Sequence, residues 1–537
     1  MKRSQSLWPL AALSALILLA AALIGLRLPD RLPAAAPPPG AFTPTPAPSP
    51  TSAFFPSPAV SVPTSTSAES GPIASTAAAQ DAGLPTATAT AAPSAAVAPT
   101  PGPTVAADLA LEFTRVRPNE YLGTIARRYG VAVEDIVAFS RIQNPDMVAV
   151  GQWLVIPHRT SRTTPGEIVL PDSELVYGPA YVGFDLHRFV EEQGGYLARF
   201  SSAAPDGSRW TGADWVERVA LRYSVGPRVL LALMEARSGW VTNPAPEGAA
   251  LDYPLGHTRG AAGLGPQLEW AADRLNRGFY GWLDRGETAI RFADGVVARG
   301  APGLNPGTVA LQGALAADIP FDRLAEEQAA FLAAYRRLFG EPMDHDAGPV
   351  LPAGLEQPPL RLPWAPGEWW HLTGGPHGGW GTGSGWAALD FVPENAAIGG
   401  CWVAERWARA AAAGVVARSD GGEVLLDLDG DGDVRTGWVL QYLHVSDRAP
   451  EGARLEVGDP VGRPSCEGGA AETTHLHFAR RYNGLWVDAG RAVPLVLDGW
   501  TAFGGFEYDG GLTKPGYPDR VASHSRQREV NGLLREP

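Results

Sequence analysis

The chain lacks a surplus of basic residues. Lys and Arg together number 43 against 57 Asp and Glu, a net charge of −14 over 537 residues. Proteins that bind nucleic acid meet its phosphates with Lys/Arg patches, so the balance argues against that partner. An acidic surface otherwise reports solubility and names no partner. Cysteine is nearly absent. Cys401 and Cys466 are the only two, so the chain holds at most one internal disulfide. In a reducing cytosol they would be thiols; in an exported protein, a pair within one domain suits a disulfide. Bulky apolar side chains are scarce from about residue 29 to 103, where Ala, Pro, Thr, Ser and Gly take nearly every position. Such a stretch cannot offset its ordering entropy, and it reads as a disordered linker over 29–106.

One long apolar run is present. Leu7–Leu26 spans 20 residues behind Lys2 and Arg3 and ends at Arg27. That is enough for one membrane span with its basic flank inside. A retained anchor over 1–28 is expected, with a signal segment cleaved near Ala34-Ala35-Ala36 as the alternative. Both readings put the remainder outside the cytoplasm, either anchored to the membrane or secreted.

Folded segments follow the linker. Glu112–Val116 alternates as a strand, and Tyr121–Tyr129 carries Leu122, Ile125, Ala126 and Tyr129 at helical spacing. Gly130 stops that helix. Val133–Ser140 is a second helix, and Gly151–Pro157 closes as a strand. The runs Thr114-Arg115-Val116, Ile125-Ala126-Arg127-Arg128-Tyr129-Gly130-Val131, Asn144-Pro145-Asp146 and Gly151-Gln152-Trp153-Leu154-Val155-Ile156-Pro157 resemble a LysM domain. The resemblance covers 107–160, about one tenth of the chain. It implies a βααβ fold that binds N-acetylglucosamine-containing glycans, with Asn119, Tyr121, Asn144 and Pro145 at the binding loops. The usual Gly-Asp-Thr before the first helix is here Asn119-Glu120-Tyr121, a departure in that loop.

The middle region, 179–348, reads as helical, with amphipathic spacing at Ala213–Tyr223, Val229–Arg237 and Phe321–Phe339. Leu231-Ala232-Leu233-Met234-Glu235 and Arg237-Ser238-Gly239-Trp240 faintly resemble lysozyme-like enzymes and lytic transglycosylases. That family places its catalytic Glu directly before Ser-Gly, where this chain has Arg237. Glu235 is the nearest acid. It would serve only if held protonated in an apolar pocket. A solvated face residue in a spacer or binding domain is the other reading.

From 360 to 500 the character changes to short strands and turns rich in Gly, Trp and Val: a mostly antiparallel β domain, with 501–537 left as a tail. Five of the ten histidines lie between His371 and His477. In Thr474-His475-Leu476-His477-Phe478 the two imidazoles share one strand face. Tyr442-Leu443-His444 ends another strand, and Asp390 is a single acid in the apolar run Ala387–Phe391. An unpaired carboxylate there calls for a metal or a donor. Imidazole with carboxylate is a zinc donor set.

Together with Gly414-Val415-Val416 and Val457-Gly458-Asp459-Pro460-Val461-Gly462, these motifs resemble M23 peptidases, the lysostaphin- and LytM-like zinc endopeptidases of peptidoglycan. The resemblance covers about a quarter of the chain. It implies Asp390 and His477 as zinc ligands, with His444 and His475 as the catalytic pair that serves the water and the oxyanion. The family's remaining ligand is a His four residues before its Asp, where this chain has Trp386. Indole has no lone pair to offer. His377, in the glycine-rich stretch Gly374–Gly381, is the expected substitute, and His371 the weaker one.

Two smaller features remain. Asp427, Asp429, Asp431 and Asp433 alternate like a calcium loop, but Trp438 stands twelfth where an EF-hand needs Glu, so a polar hairpin turn is expected. Cys401 and Cys466 could join across the β domain.

The whole is therefore a multidomain α+β chain: membrane segment, disordered linker, LysM domain, helical middle domain and β peptidase-like domain. Two functions compete. One is a peptidoglycan-binding zinc endopeptidase with one Zn²⁺ per chain, cutting peptide cross-links. The other is a degenerate M23 module that binds the wall or activates a partner hydrolase.

Overall fold

The structure, a computed structural model, describes residues 108–397 and 399–537. The expected membrane segment (1–28) and the linker up to residue 107 lie outside the described residues. Among those described, no helix is long and apolar enough to cross a membrane.

The first unit is β1 (Leu109–Arg115), α1 (Leu122–Tyr129), α2 (Val133–Ser140) and β2 (Trp153–Arg159). The strands pair antiparallel from Leu109↔Arg159 to Arg115↔Trp153. Gly130 adopts φ 68° and turns the chain out of α1, a conformation that costs glycine little. Val116, Leu122, Ile125, Ile136, Leu154 and Ile156 close a small core. Each such buried side chain contributes about 1.5–3 kcal/mol.

The middle region is helical: α3 (Gly212–Tyr223), α4 (Pro227–Ser238), α5 (Leu264–Tyr280), α6 (Pro306–Ala316) and α7 (Leu324–Phe339). Thr211 and Asp214 form a capping box at the start of α3, satisfying amide groups left free in the first turn. In α4 every residue from Pro227 to Glu235 is buried, so it is the central helix of the group.

The C-terminal region is built on a nine-stranded sheet. Its strands are β3 (Trp369–His377), β4 (Ala388–Pro393), β5 (Gly414–Asp420), β6 (Glu423–Asp427), β7 (Trp438–Leu443), β8 (Arg454–Leu455), β9 (Leu476–Tyr482), β10 (Leu485–Trp486) and β11 (Gly532–Leu534). They run in the order β8-β5-β6-β7-β9-β4-β3-β11, with β10 beside β9. Neighbours pair antiparallel throughout. The segment 501–537, expected as a tail, supplies the edge strand β11, where Gly532–Leu534 pairs with Trp369–His371. The turn after β6 is polar, as expected: Asp427 accepts from the amides of Asp429 and Gly432.

Alternation along the strands splits the sheet into two faces. Leu389, Phe391, Leu476 and Phe478 enter the core of the β domain. Ala388 and Ala479, on the opposite face, join one core with Phe279 and Tyr280 of α5. Their small side chains let the helix come close. The middle region is therefore part of the packing of the sheet, not a detached spacer.

Candidate metal centre

Asp390 on β4 stands directly opposite His477 on β9. Facing residues of an antiparallel pair project to the same side. Because Leu389, Phe391, Leu476 and Phe478 point into the core, Asp390 and His477 must emerge on the other face. The third element is β3. Its register against β4 shifts twice, between Leu372 and Gly374 and between Gly374 and His377. Gly374 lies opposite Asp390, and a Cβ there would sit 2.6 Å from Asp390 Oδ2. Glycine is required at that approach, and the irregular strand delivers the His377 ring to Asp390.

Three atoms converge. His377 Nε2 lies 3.2 Å from Asp390 Oδ1, His477 Nδ1 lies 3.3 Å from the same oxygen, and the two nitrogens are 3.0 Å apart. The far nitrogen of each ring faces a main-chain carbonyl: His377 Nδ1 that of Gly375 at 2.8 Å, and His477 Nε2 that of Gly379 at 3.2 Å. A nitrogen facing a carbonyl carries the hydrogen, so the converging nitrogens present lone pairs. A tetrahedral zinc with bonds of about 2.0 Å has ligand–ligand edges of about 3.3 Å. The observed triangle matches those edges. Asp390 Oδ1 is buried and accepts no hydrogen bond. The donor set, the spacing and the orphaned oxygen all fit a zinc ion, and the hydrogen-bonded outer nitrogens are the support such ligands use.

The electrostatics agree. Burial would raise the Asp390 carboxyl, but His377 and His475 outweigh it and hold it well below the usual range. Burial would lower His377, yet Asp390 keeps it above the ordinary imidazole value. The carboxylate thus favours positive charge at this point.

The expected catalytic pair borders the triangle. His475 Nε2 is 3.6 Å from Asp390 Oδ1, and its Nδ1 donates to the Thr473 carbonyl at 2.8 Å. His444 follows β7 with φ 62°, a strained conformation for a residue with a side chain. Its Nδ1 donates to the Gly468 carbonyl at 2.9 Å, and its ring lies 4.5 Å from that of His475. Burial, then His475 and His477, push His444 down to about 3, so it is neutral near pH 7. All four imidazoles therefore spend one nitrogen on the backbone. A disulfide joins Cys401 to Cys466, immediately before the Glu467–Gly468 segment that holds His444.

His371 is not among the converging residues. It is buried on β3 with Nδ1 3.2 Å from Asn531 Oδ1. Trp386 packs on Trp153 of β2, centroids 5.8 Å apart, beneath the Arg285 guanidinium. The sequence reading missed Tyr508. Its ring stacks on His377 at 4.2 Å and 17°. Its backbone exchanges bonds with Gly375 and Pro376. Glu507 beside it pairs with Arg115 of β1. The glycine-rich loop is clamped by Asp273 of α5, which accepts from Thr382 N, Thr382 Oγ1 and Gly383 N.

Asn119, Tyr121, Asn144 and Pro145 are exposed on the two loops that flank α1 and α2. Glu235 does not resemble a lysozyme-like acid. Its carboxylate accepts from Val241 N, Thr242 N and Thr242 Oγ1 and pairs with Arg337 at 2.6 Å. A carboxylate so fully engaged is a structural tie between α4 and α7, neither an acid set in an apolar pocket nor the solvated face residue that the sequence also allows.

Comparison with known proteins agrees with this anatomy. Residues 114–157 match the LysM domain family, and residues 168–351 match the family described as LasA, N-terminal domain. The chain thus pairs a LysM match with likeness to the LasA proteases. Over 338 residues it is 29% identical to Protease LasA of Pseudomonas aeruginosa, covering 59% of this chain and 74% of that protein. The same protein from a second strain is 28% identical. Among solved structures, the M23 metalloprotease pseudoalterin from the deep sea is 24% identical, covering 32% of this chain and 96% of that one, with a TM-score of 0.26. The catalytic domain of lysostaphin from Staphylococcus simulans is 22% identical, covering 22% of this chain and 86% of that one, with a TM-score of 0.16.

Proposed function

We propose that this chain is a cell-wall peptidase: a zinc endopeptidase that hydrolyses peptide cross-links of peptidoglycan. The observation that carries the reading is the triangle of lone pairs from His377, Asp390 and His477, with edges of 3.0–3.3 Å. Its relatives named as proteases point the same way. In this reading those three residues hold the ion. Bound zinc supplies an acidified water and a polarised scissile carbonyl. His444 and His475 each turn one ring nitrogen to a backbone carbonyl. The other nitrogen of each then faces the reaction: as a neutral imidazole, one takes the proton from the attacking water and returns it to the leaving amine, and the other would steady the oxyanion in its protonated form, as an N–H donor. Water is the nucleophile, so no acyl-enzyme forms.

The LysM domain, over about 107–160, would hold glycan strands through Asn119, Tyr121, Asn144 and Pro145. Binding there raises the local concentration of cross-links at the peptidase site. The Leu7–Leu26 run would place the folded part outside the cytoplasm, anchored or secreted.

The test is digestion of purified peptidoglycan by the full chain, read as newly released amino groups. His475→Ala and His444→Ala should abolish release while zinc content stays at one per chain. His377→Ala should lose both. Zinc retained with no release in the parent would leave only the wall-binding reading.

A further inference from the structure

A second cleft lies away from the metal centre, where β1, α5 and the Ala289–Arg291 strand meet. It encloses about 380 Å³, within the range of small-molecule sites. Four arginines line it: Arg259, Arg274, Arg277 and Arg291. Such crowding is notable in a chain of net charge −14.

Two of the four are neutralised. Arg291 pairs with Glu112 at 2.7 Å, and Arg259 lies 3.3 Å from Asp318. Glu287, the other acid of the cleft, pairs with Arg285 at 3.8 Å. Arg274 and Arg277 have no such partner among the described residues. Arg274 has one long bond, 3.3 Å, to the Gly313 carbonyl, and its Nε is buried without any acceptor. Arg277 reaches the Phe113 carbonyl at 3.4 Å. Burial and then the neighbouring Arg277 pull Arg274 below the usual guanidinium value. Two positive charges thus face one cleft with their donors largely unspent.

We propose that this cleft binds a small phosphorylated ligand, its phosphate monoester seated between Arg274 and Arg277 and its neutral part along Trp270. The two arginines stand three residues apart on α5, so they share one helix face and converge on a single group. A carboxylate brings one charge; a phosphate monoester brings about −1.5 to −2 and three acceptor oxygens, which suits two guanidinium forks. A bare phosphate would leave most of the volume empty. Trp270 and Phe292 supply apolar wall beside three alanines, with His257 stacked on the Trp270 ring at 3.9 Å and 7°. Asp318 holds that imidazole at 2.8 Å.

The test is calorimetric titration of the full chain, freed of metal so that zinc takes no part. The probes are glucose 6-phosphate, inorganic phosphate and glucose. Glucose 6-phosphate should bind at one site, inorganic phosphate more weakly, and glucose not at all. Arg277→Gln and Arg274→Lys should each weaken glucose 6-phosphate at least about tenfold, the loss expected of one charge-assisted hydrogen bond. Arg188→Gln, at an exposed pair with Glu192 outside the cleft, should bind like the parent. Absence of binding in the parent at millimolar ligand overturns the proposal, as does unchanged affinity in folded Arg277→Gln or equal binding of glucose. Zinc content and peptidoglycan cleavage do not enter any of these outcomes, so the cleft and the peptidase reading stand or fall separately.

Discussion

Tyr508 lies flat on His377, the ring centroids 4.2 Å apart and the planes 17° from parallel. One face of the imidazole is thereby fixed by a residue 131 positions further along the chain. Removing that support should loosen the ligand without deleting it. Tyr508→Ala is expected to weaken zinc about tenfold or more, within the range seen for groups that steady metal ligands. A chelator-competition titration measures it. Tyr508→Phe, which keeps the ring, should bind zinc as the parent does.

The packing between α5 and the sheet carries a pH signature. Asp284, just beyond α5, is pushed up to about 7 by burial and then by Asp488 of the β domain. One carboxylate oxygen of each is buried without a hydrogen bond. A carboxyl raised in the fold binds its proton more tightly there than in the unfolded chain. Stability is therefore lost as pH rises from about 4 towards 7. Asp284→Asn removes the charge and should stabilise the chain at pH 8 by about 1–3 kcal/mol, with little effect at pH 4. Urea midpoints at the two values test it, and equal shifts at both would contradict it.

Cys401 and Cys466 close a loop of 65 residues. Chain-entropy reasoning gives such a cross-link about 2–4 kcal/mol. The paired Cys401→Ala, Cys466→Ala variant should lower the denaturant midpoint accordingly. Because the bridge borders the Glu467 and Gly468 carbonyls that orient His444, peptidoglycan cleavage should fall further than the fraction folded does.

Glu235 separates a structural role from a catalytic one. Its neutral amide analogue cannot accept all four of its bonds as a carboxylate does. Glu235→Gln should destabilise the chain by about 1–3 kcal/mol in a thermal melt. Peptidoglycan cleavage by the folded fraction should be unchanged.

Much of the site could be read from sequence because strand periodicity is local. His475 and His477 share a face by a spacing of two, and Asp390 stands out as one acid among apolar neighbours. The glycine-rich run around His377 announces a close backbone approach, and Gly374 meets that expectation against Asp390. Other parts depend on distant pairing. Tyr508 reaches the site because its backbone bonds Gly375 and Pro376, a contact that no periodicity signals. Helix α5 carries a weak local signal, since Gly265, Pro266 and Gly278 lower its propensity. Its place is set by tertiary contact with Ala388 and Ala479. The strand Gly532–Leu534 is three residues long and exists only by pairing with β3.

The most direct measurement is the metal content of the purified full chain, set beside single substitutions. One zinc per chain is expected in the parent and in His371→Ala, whose ring lies outside the triangle, and none in His377→Ala, Asp390→Asn or His477→Ala. A parent without zinc, or a His377→Ala variant that keeps it, would contradict the account.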